Sequence, residues 1–409
     1  MNCKLAFPPQ ELKASIGLPA SKSISNRVLI LQALSGEAAP VHNLSDSDDT
    51  KVLQQALHSG GPHFNIGAAG TAMRFLTAYL SRTPGEWTIT GTERMKNRPI
   101  RLLADALNHL GAQVGYMEKE GFPPLQISGR RLQGGEAVLS GGVSSQYISA
   151  LLMIAPRMEQ GLVLHLEGEI VSVPYIRLTV ELMKQYGVAA NWQGQTLEVS
   201  PQTYSSKPFT VESDWSAASY WYSIAALSPN ASVELRGLFK DSLQGDSAVA
   251  RLYEQLGVET RFAEGGVHLR HTGKPCSRMD YNFVNEPDLA QTFVVGCCLQ
   301  GIPFRFTGLQ SLRIKETDRI AALQTELQKL GYLLHTSSST LEWNGERCTP
   351  EPHPVIATYE DHRMAMAFAP AALVRAEGIE ISHPEVVTKS YPRFWDDLTS
   401  AGFQLTMDN

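Results

Sequence analysis

Residues 103–111 read Leu-Ala-Asp-Ala-Leu-Asn-His-Leu-Gly, a pattern that recurs along the chain. Leu103, Leu107 and Leu110 fall on one face of a predicted helix. The glycine that follows them tolerates the left-handed backbone that ends a helix. Other apolar helical stretches end in the same way, at Gly60, Gly187, Gly257, Gly331 and Gly402. The sequence therefore predicts six copies of one structural unit.

The spacing of these glycines is regular except at the start. From Gly111 onward they are 76, 70, 74 and 71 residues apart, whereas Gly60 and Gly111 are only 51 apart. Runs rich in Val, Ile and Leu, such as 161–166 and 231–235, predict strands between the helices. We expect five similar units and one shortened unit, each with two helices, with the short interval between the first two units. A second set of helices is predicted to begin near residues 23, 71, 145, 215, 287 and 361.

The composition is that of a globular protein. Of 409 residues, 43% are hydrophobic and 19% charged, and the formal net charge is −6. This charge argues against a nucleic-acid or anionic-membrane surface. The longest apolar runs, such as 290–299, fall short of the roughly 18 residues that span a bilayer. The N-terminus has no signal-peptide pattern, and five cysteines lack metal-site spacing. We expect a cytoplasmic protein without metal, cofactor, nucleic-acid or membrane partner.

Cations and hydroxyls stand at predicted helix starts, where unpaired backbone N–H groups attract anions. Lys22 precedes the first helix, and Arg27 lies one turn beyond Ser23, so both cations are candidates to face one anion. Each such residue alone has a structural explanation, as a cap or a surface charge. If the helix starts converge, they form a site for a substrate with several negative charges. Similar residues at other starts are Gly70, Arg98, Ser144, Ser145, Gln146, Ser172, Tyr175, Arg363 and Lys389.

The densest group of charges is Arg313-Ile314-Lys315-Glu316-Thr317-Asp318-Arg319, followed by apolar residues at helical spacing. The spacing predicts Lys315, Glu316 and Arg319 as neighbours on the first turn of a helix. A surface salt-bridge ladder is the alternative interpretation. Asp288, at another predicted helix start, is either a cap or a working carboxylate.

These stretches resemble the family of 5-enolpyruvylshikimate-3-phosphate synthases. The resemblance implies an α/β (α+β) fold with two similar domains, each of three βαβαββ repeats, and an active-site cleft between them. One domain is expected to comprise 1–18 plus 212–409, and the other 19–211. The matching stretches, in order over almost the whole chain, are 19–27, 70–74, 94–100, 144–146, 242–246, 287–288, 313–319, 361–363 and 389.

The resemblance implies transfer of the enolpyruvyl group of phosphoenolpyruvate to the 5-hydroxyl of shikimate 3-phosphate, with release of phosphate, by a monomer. It makes Lys22, Asp288 and Glu316 catalytic, with Asp288 as base for the hydroxyl and Glu316 moving the proton at the methylene carbon. Shikimate 3-phosphate would contact Ser23, Arg27, Ser144, Ser145, Gln146, Ser172, Tyr175, Asp288 and Lys315. Phosphoenolpyruvate would contact Lys22, Gly70, Arg98, Gln146, Arg319, Arg363 and Lys389.

Three features depart from the family pattern. Ala68 stands where the family usually has Asn, and Phe75 stands where many relatives have Pro. The shortened repeat lacks family residues between Asp49 and Asn65. These departures leave open a catalytically inactive phosphometabolite-binding protein on the same scaffold.

A second alternative is the related family of UDP-N-acetylglucosamine enolpyruvyl transferases. Members of that family would show Lys-Asn near the start, where this chain has Lys22-Ser23. They also often carry a reactive cysteine in the N-terminal domain, whereas here none lies between Cys3 and Cys276. Both differences argue against this alternative.

Overall fold

The computed structural model describes residues 1–8, 10–37 and 39–408, and the chain divides into two compact units. Met1–Ala20 together with Glu212–Asn409 form what we call the discontinuous unit, and Ser21–Val211 form the continuous unit. The first boundary thus follows residue 20, where the sequence analysis placed it after residue 18.

Both units contain helices and strands. In the described residues the α-helices are α1 Lys22–Ser35, α2 Asp48–Ser59, α3 Gly70–Arg82, α4 Glu93–Lys96, α5 Arg101–His109, α6 Ser145–Ile154, α7 Val173–Gln185, α8 Trp215–Leu227, α9 Val249–Glu254, α10 Ala290–Gln300, α11 Arg319–Lys329, α12 His362–Phe368 and α13 Phe394–Ser400. The strands are β1 Asn2–Ala6, β2 Lys13–Gly17, β3 Val41–His42, β4 His63–Asn65, β5 Gly85–Thr90, β6 Val114–Tyr116, β7 Leu125–Gly129, β8 Gly135–Ser140, β9 Leu162–Glu167, β10 Asn191–Gln193, β11 Thr196–Val199, β12 Phe209–Thr210, β13 Ser232–Arg236, β14 Val258–Ala263, β15 Gly266–His271, β16 Met279–Asn282, β17 Phe304–Thr307, β18 His335–Thr336, β19 Leu341–Trp343, β20 Val355–Ile356, β21 Ile379–Ser382 and β22 Gln404–Asp408. The mixed α/β class predicted from the sequence is confirmed.

The continuous unit contains two four-stranded sheets of the same design, with orders β4-β5-β7-β6 and β8-β9-β11-β10. In each sheet the first two strands are parallel and the other neighbouring pairs are antiparallel. Parallel neighbours require a crossover connection, and α3 and α6 supply it. Each repeat is therefore a βαβαββ unit.

The discontinuous unit contains three sheets of this design, with orders β2-β13-β15-β14, β16-β17-β19-β18 and β20-β21-β1-β22. Two of them use strands from the start of the chain. Strand β2 pairs in parallel with β13, and β1 is inserted between β21 and β22 with antiparallel neighbours. The first residues therefore complete repeats whose other strands lie beyond residue 211.

In its described residues, the shortened repeat keeps its helices and lacks the final antiparallel pair of strands. Its sheet consists of β12 and β3, which are parallel, with α1 before β3 and α2 after it. Helix α2 ends at Ser59, and β4 of the next repeat begins at His63. The shortening thus falls between these two residues, inside the predicted range.

The first helix of each repeat forms the core. Helices α1, α3 and α6 contact one another in the continuous unit, as α10 does with α8 and α12 in the discontinuous unit. Every residue of α12 is buried. Because these core helices pack together, their N-terminal ends and the polar residues at those ends lie inside each unit. None of the helices in the described part of the chain combines the length and apolar character that a membrane crossing requires.

The glycines predicted to end helices all have positive φ, from 57° at Gly60 to 100° at Gly111 and Gly402. That prediction is confirmed. The predicted first turn at Lys315 and Glu316 is wrong, because α11 begins only at Arg319, with Asp318 as its cap. Asp318 accepts a hydrogen bond from Ala321 N, which fixes the helix start four residues later than Lys315.

Candidate active site

Asp288 is the centre of a charged cluster in the discontinuous unit. It lies two residues before α10, and its side chain is 20% exposed. Oδ1 lies 3.2 Å from Nη1 of Arg319 and 3.6 Å from Nζ of Lys315. Oδ2 lies 2.9 Å from Nη2 of Arg363. Three cations thus surround one carboxylate, and four of the sequence-predicted site residues are brought together.

Arg319 joins this group to two more carboxylates. Its Nη2 lies 2.8 Å from Oε2 of Glu316, and its Nε lies 2.7 Å from Oδ2 of Asp361. The other oxygen of Glu316 lies 3.2 Å from Nζ of Lys389. Arg319 is only 1% exposed. Because a buried charge is tolerated only when it is paired, these contacts explain how Arg319 stays charged in the interior.

The charges of the cluster shift the pKa values of its members. Burial alone would raise the pKa of Asp288, but Arg363, Lys315 and Arg319 outweigh it and hold the pKa well below its usual range. Burial also lowers the pKa of Lys315, and Asp288 only partly opposes that change. Arg319 has a raised pKa because its carboxylate neighbours, Asp361 first, exceed the cost of burial.

Arg363 lies in the first turn of α12 and contacts Asp288. Asp361 caps α12 by accepting a hydrogen bond from the backbone N–H of Arg363 at 2.9 Å. The guanidinium of Arg363 also donates to the backbone carbonyl of Asp288 at 3.2 Å. Ser216 and Tyr220, both on α8, accept further hydrogen bonds from it at 3.4 Å. Contacts with α8 and with Asp288, which lies just before α10, therefore fix the orientation of this arginine.

The continuous unit carries the remaining predicted residues, beginning with Lys22 and Ser23 at the start of α1. Nζ of Lys22 lies 3.7 Å from Oδ2 of Asp49, which belongs to α2 and is almost completely buried. Ser21 caps α1 by accepting from Ile24 N. The Ser21 cap fixes the start of α1, and the carboxylate of Asp49 fixes the position of the Lys22 ammonium.

Arg27 is held by protein acceptors. Its guanidinium donates to the hydroxyl of Thr179 at 2.7 Å, to the hydroxyl of Ser149 at 3.1 Å and to the backbone carbonyl of Ser23 at 2.9 Å. A further bond reaches the backbone carbonyl of Tyr175 at 3.3 Å. Burial lowers the pKa of Arg27 to about 10. Arg27 is 2% exposed and its guanidinium contacts residues of α6 and α7, whereas the sequence spacing made it a candidate to face one anion together with Lys22.

The start of α3 lies against two arginines. A Cβ on Gly70 would lie 2.4 Å from Nη1 of Arg98 and 2.8 Å from Nη1 of Arg74. Arg74 also donates to the backbone carbonyl of Gly70 at 2.8 Å. Gln146 on α6 donates to the hydroxyl of Thr71 at 3.2 Å. Gly70, Arg98 and Gln146, which the sequence predicted as site residues, are thus near one another.

The predicted serines lie at helix starts, as expected. Ser144 caps α6 by accepting from Gln146 N at 3.4 Å, and Ser145 is the first residue of that helix. Ser172 precedes α7 and has φ of 55°, a left-handed conformation that is unusual outside glycine. Tyr175 lies in the first turn of α7.

Three charged residues belong to these groups although sequence reasoning assigned them no role. Asp361 pairs with Arg319, Asp49 pairs with Lys22, and Arg74 lies beside Gly70. Arg74 follows Gly70 by one helical turn, a spacing that could have revealed it. The other pairings join residues far apart in the chain. Within the described residues, no group of three or more His, Cys, Asp or Glu side chains could hold a metal ion.

Known proteins share both the sequence and the fold. The chain matches the model of the family described as EPSP synthase (3-phosphoshikimate 1-carboxyvinyltransferase) over residues 7–64 and 61–398. It is 61% identical over 402 residues to a 3-phosphoshikimate 1-carboxyvinyltransferase of Bacteroides fragilis, covering 98% of each chain. The protein of that name from Photobacterium profundum is 36% identical over 425 residues, with 96% of this chain and 97% of the relative covered.

The fold resembles that of a solved EPSP synthase from Acinetobacter baumannii. The TM-score is 0.79 and the sequence identity 21%, with 99% of this chain and 100% of that chain covered. At this identity the structural likeness bears on the fold, and the sequence relatives bear on the family.

Proposed function

Because the chain belongs to the EPSP synthase family, we propose that it transfers the enolpyruvyl group of phosphoenolpyruvate to the 5-hydroxyl of shikimate 3-phosphate and releases phosphate. The observation that carries this proposal is the 61% identity over nearly the whole length to a 3-phosphoshikimate 1-carboxyvinyltransferase. The charged cluster around Asp288 supports it with groups suited to the reaction.

In the discontinuous unit, Asp288 is the proposed base for the 5-hydroxyl and Glu316 the proposed group that moves the proton at the methylene carbon. The depressed pKa of Asp288 keeps it deprotonated, as a proton acceptor must be. Its three cations also attract phosphate and carboxylate groups. An anionic substrate that takes over those cations weakens their hold on Asp288 and raises its basicity.

The same cations divide between the substrates. Lys315 is assigned with Asp288 to shikimate 3-phosphate, and Arg319, Arg363 and Lys389 are assigned to phosphoenolpyruvate. Fixed positive charge of this kind stabilises the negative charge that builds on the departing phosphate.

In the continuous unit, Lys22 is proposed to assist catalysis by contacting the phosphate of phosphoenolpyruvate. Gly70, Arg98 and Gln146 are assigned to the same substrate. The absence of a side chain at Gly70 lets Arg98 lie against the N-terminal end of α3, so that this cation and the helix N-terminus both attract an anion. The remaining predicted residues are assigned to shikimate 3-phosphate: Ser23, Arg27, Ser144, Ser145, Gln146, Ser172 and Tyr175.

Phosphate release from the two substrates tests the proposal directly. Wild-type protein is expected to release phosphate only when both substrates are present. Lys22→Ala and Glu316→Gln are expected to lower kcat by at least about 100-fold, in the range of lost general-acid or electrostatic catalysis, with melting temperatures close to wild type. Tight binding of both substrates without turnover by the wild type would instead support the inactive phosphometabolite-binding protein.

Oligomeric state and location remain predictions. We propose a monomer in the cytoplasm, with the two small molecules as partners and no metal or cofactor. Size-exclusion chromatography with light scattering measures the mass, and a dimer would contradict the monomer. The two sequence relatives described above are named 3-phosphoshikimate 1-carboxyvinyltransferase. The comparisons therefore favour neither the inactive phosphometabolite-binding protein nor a UDP-N-acetylglucosamine enolpyruvyl transferase.

A further inference from the structure

The segment 355–361, which ends at Asp361, contacts one side of α11 at several points along the helix. Arg319, Glu326 and Lys329 are seven and three residues apart, a spacing that places them on one side of a helix. Lys329 Nζ donates to the backbone carbonyl of Val355 at 2.8 Å, near the C-terminal end of α11. At the N-terminal end, Arg319 binds Asp361. The segment 355–361 therefore runs beside the helix from its end to its beginning.

Glu326 makes the central contacts of this arrangement. Its side chain is fully buried. Oε2 accepts hydrogen bonds from the backbone N–H of Ala357 at 3.0 Å and from Lys329 Nζ at 2.7 Å. Oε1 accepts from the hydroxyl of Tyr359 at 2.6 Å. A buried carboxylate with three donors is costly to disturb, so Glu326 fixes the segment at two residues, Ala357 and Tyr359.

The backbone directly after these contacts is strained. Tyr359 and Glu360 have φ of 54° and 56°, two consecutive left-handed residues that carry a Cβ. Such a turn persists where its surroundings hold it. The next residue, Asp361, donates its N–H to the carbonyl of Thr358 at 2.8 Å and binds Arg319 through its side chain.

We infer that Glu326 and Tyr359 are positioning residues for phosphoenolpyruvate. They stabilise the left-handed turn at Tyr359 and Glu360. This turn places Asp361 against Arg319 and sets the start of α12, from which Arg363 contacts Asp288. The inference rests on the proposed function, which assigns Arg319 and Arg363 to that substrate. Glu326 and Tyr359 are to act through these arginines without touching the reacting atoms.

Steady-state kinetics of Tyr359→Phe and Glu326→Gln tests the inference. Tyr359→Phe keeps the ring and removes only the hydroxyl, so we expect KM for phosphoenolpyruvate to rise about threefold, and about tenfold for Glu326→Gln, as one or more hydrogen bonds are lost. The value of kcat should change less than KM. The double variant should match Glu326→Gln, because the hydroxyl acts only through the carboxylate.

Tyr222→Phe is the matched control. It removes a hydroxyl that is bonded to Thr260 at 2.9 Å, in the same unit and outside the segment 355–361. It should lower the melting temperature without changing KM for phosphoenolpyruvate.

Wild-type KM for phosphoenolpyruvate in Tyr359→Phe would overturn the inference, and this variant decides the question even if Glu326→Gln does not fold. Additive effects in the double variant would also overturn it. Wild-type phosphate release is measured in the same series. Its absence counts against the proposed function, whereas an unchanged KM in an active variant counts against the positioning role.

Discussion

The absence of a side chain at Gly70 leads to a testable prediction about substrate binding. A Cβ at this position would lie 2.4 Å from Nη1 of Arg98, so Gly70→Ala must displace that arginine. Because Arg98 is assigned to phosphoenolpyruvate, we expect KM for this substrate to rise about tenfold or more, as misplaced contacts do. Gly61→Ala, where no atom lies within 4 Å, is the matched control in steady-state kinetics. An unchanged KM in Gly70→Ala would remove Arg98 from the proposed site.

Lys315 carries a prediction about pH. Burial lowers its pKa, so the ammonium loses its proton at lower pH than an ordinary lysine, whose pKa is about 10.4. If the charged form binds shikimate 3-phosphate, kcat/KM for that substrate falls on the alkaline side below this ordinary value. Lys315→Arg should move the fall to higher pH, because arginine stays protonated. A pH profile that is the same in both proteins would contradict the assignment.

At the scale of elements, the start of α11 depends on Asp318. The side chain accepts from Ala321 N at 3.1 Å and pairs with Arg313 at 2.7 Å. Loss of a cap costs about 1 kcal/mol, so Asp318→Ala should lower the free energy of unfolding by about that amount. Asp318→Asn keeps a capping oxygen and should retain most of it. Urea unfolding measures both, and equal losses would show that the Arg313 pair, not the cap, is responsible.

The shortened repeat shows how elements tolerate loss. The sheet of β12 and β3 lacks the outer antiparallel pair found in the other repeats, yet α1 and α2 remain in place. Helix α1 is buried along most of its length and contacts α3, α6 and α7. The core helices therefore pack together without that outer pair of strands.

At the scale of the whole molecule, residues assigned to shikimate 3-phosphate are divided between the two units, with Ser23 in one and Lys315 in the other. A ligand that binds the folded protein and not the unfolded chain stabilises the folded form. We expect saturating shikimate 3-phosphate to raise the calorimetric melting temperature of the wild-type protein. A free ligand concentration of 100 Kd corresponds to about 2.7 kcal/mol. Lys315→Met should weaken this increase, and an unchanged melting temperature of the wild type would contradict the proposed binding of shikimate 3-phosphate.

Local sequence patterns predicted the elements well, for a physical reason. A glycine ends a helix through its own backbone freedom, and Gly111, Gly187 and Gly331 all have positive φ. The run 161–166 forms β9 with a shift of one residue. Lys315 and Glu316 were misplaced because charge spacing alone does not reveal that Asp318 caps the helix after them.

The sequence by itself determined the repeated unit, the short repeat, most of the helix starts and the family, since these depend on neighbouring residues or on motifs read in order. Only the tertiary structure decided which charges meet. Arg319 and Asp361 are 42 residues apart and pair at 2.7 Å. Arg27 turned inward to Thr179, 152 residues away. A buried charge needs a partner, and which partner it finds depends on how helices distant in the chain pack together.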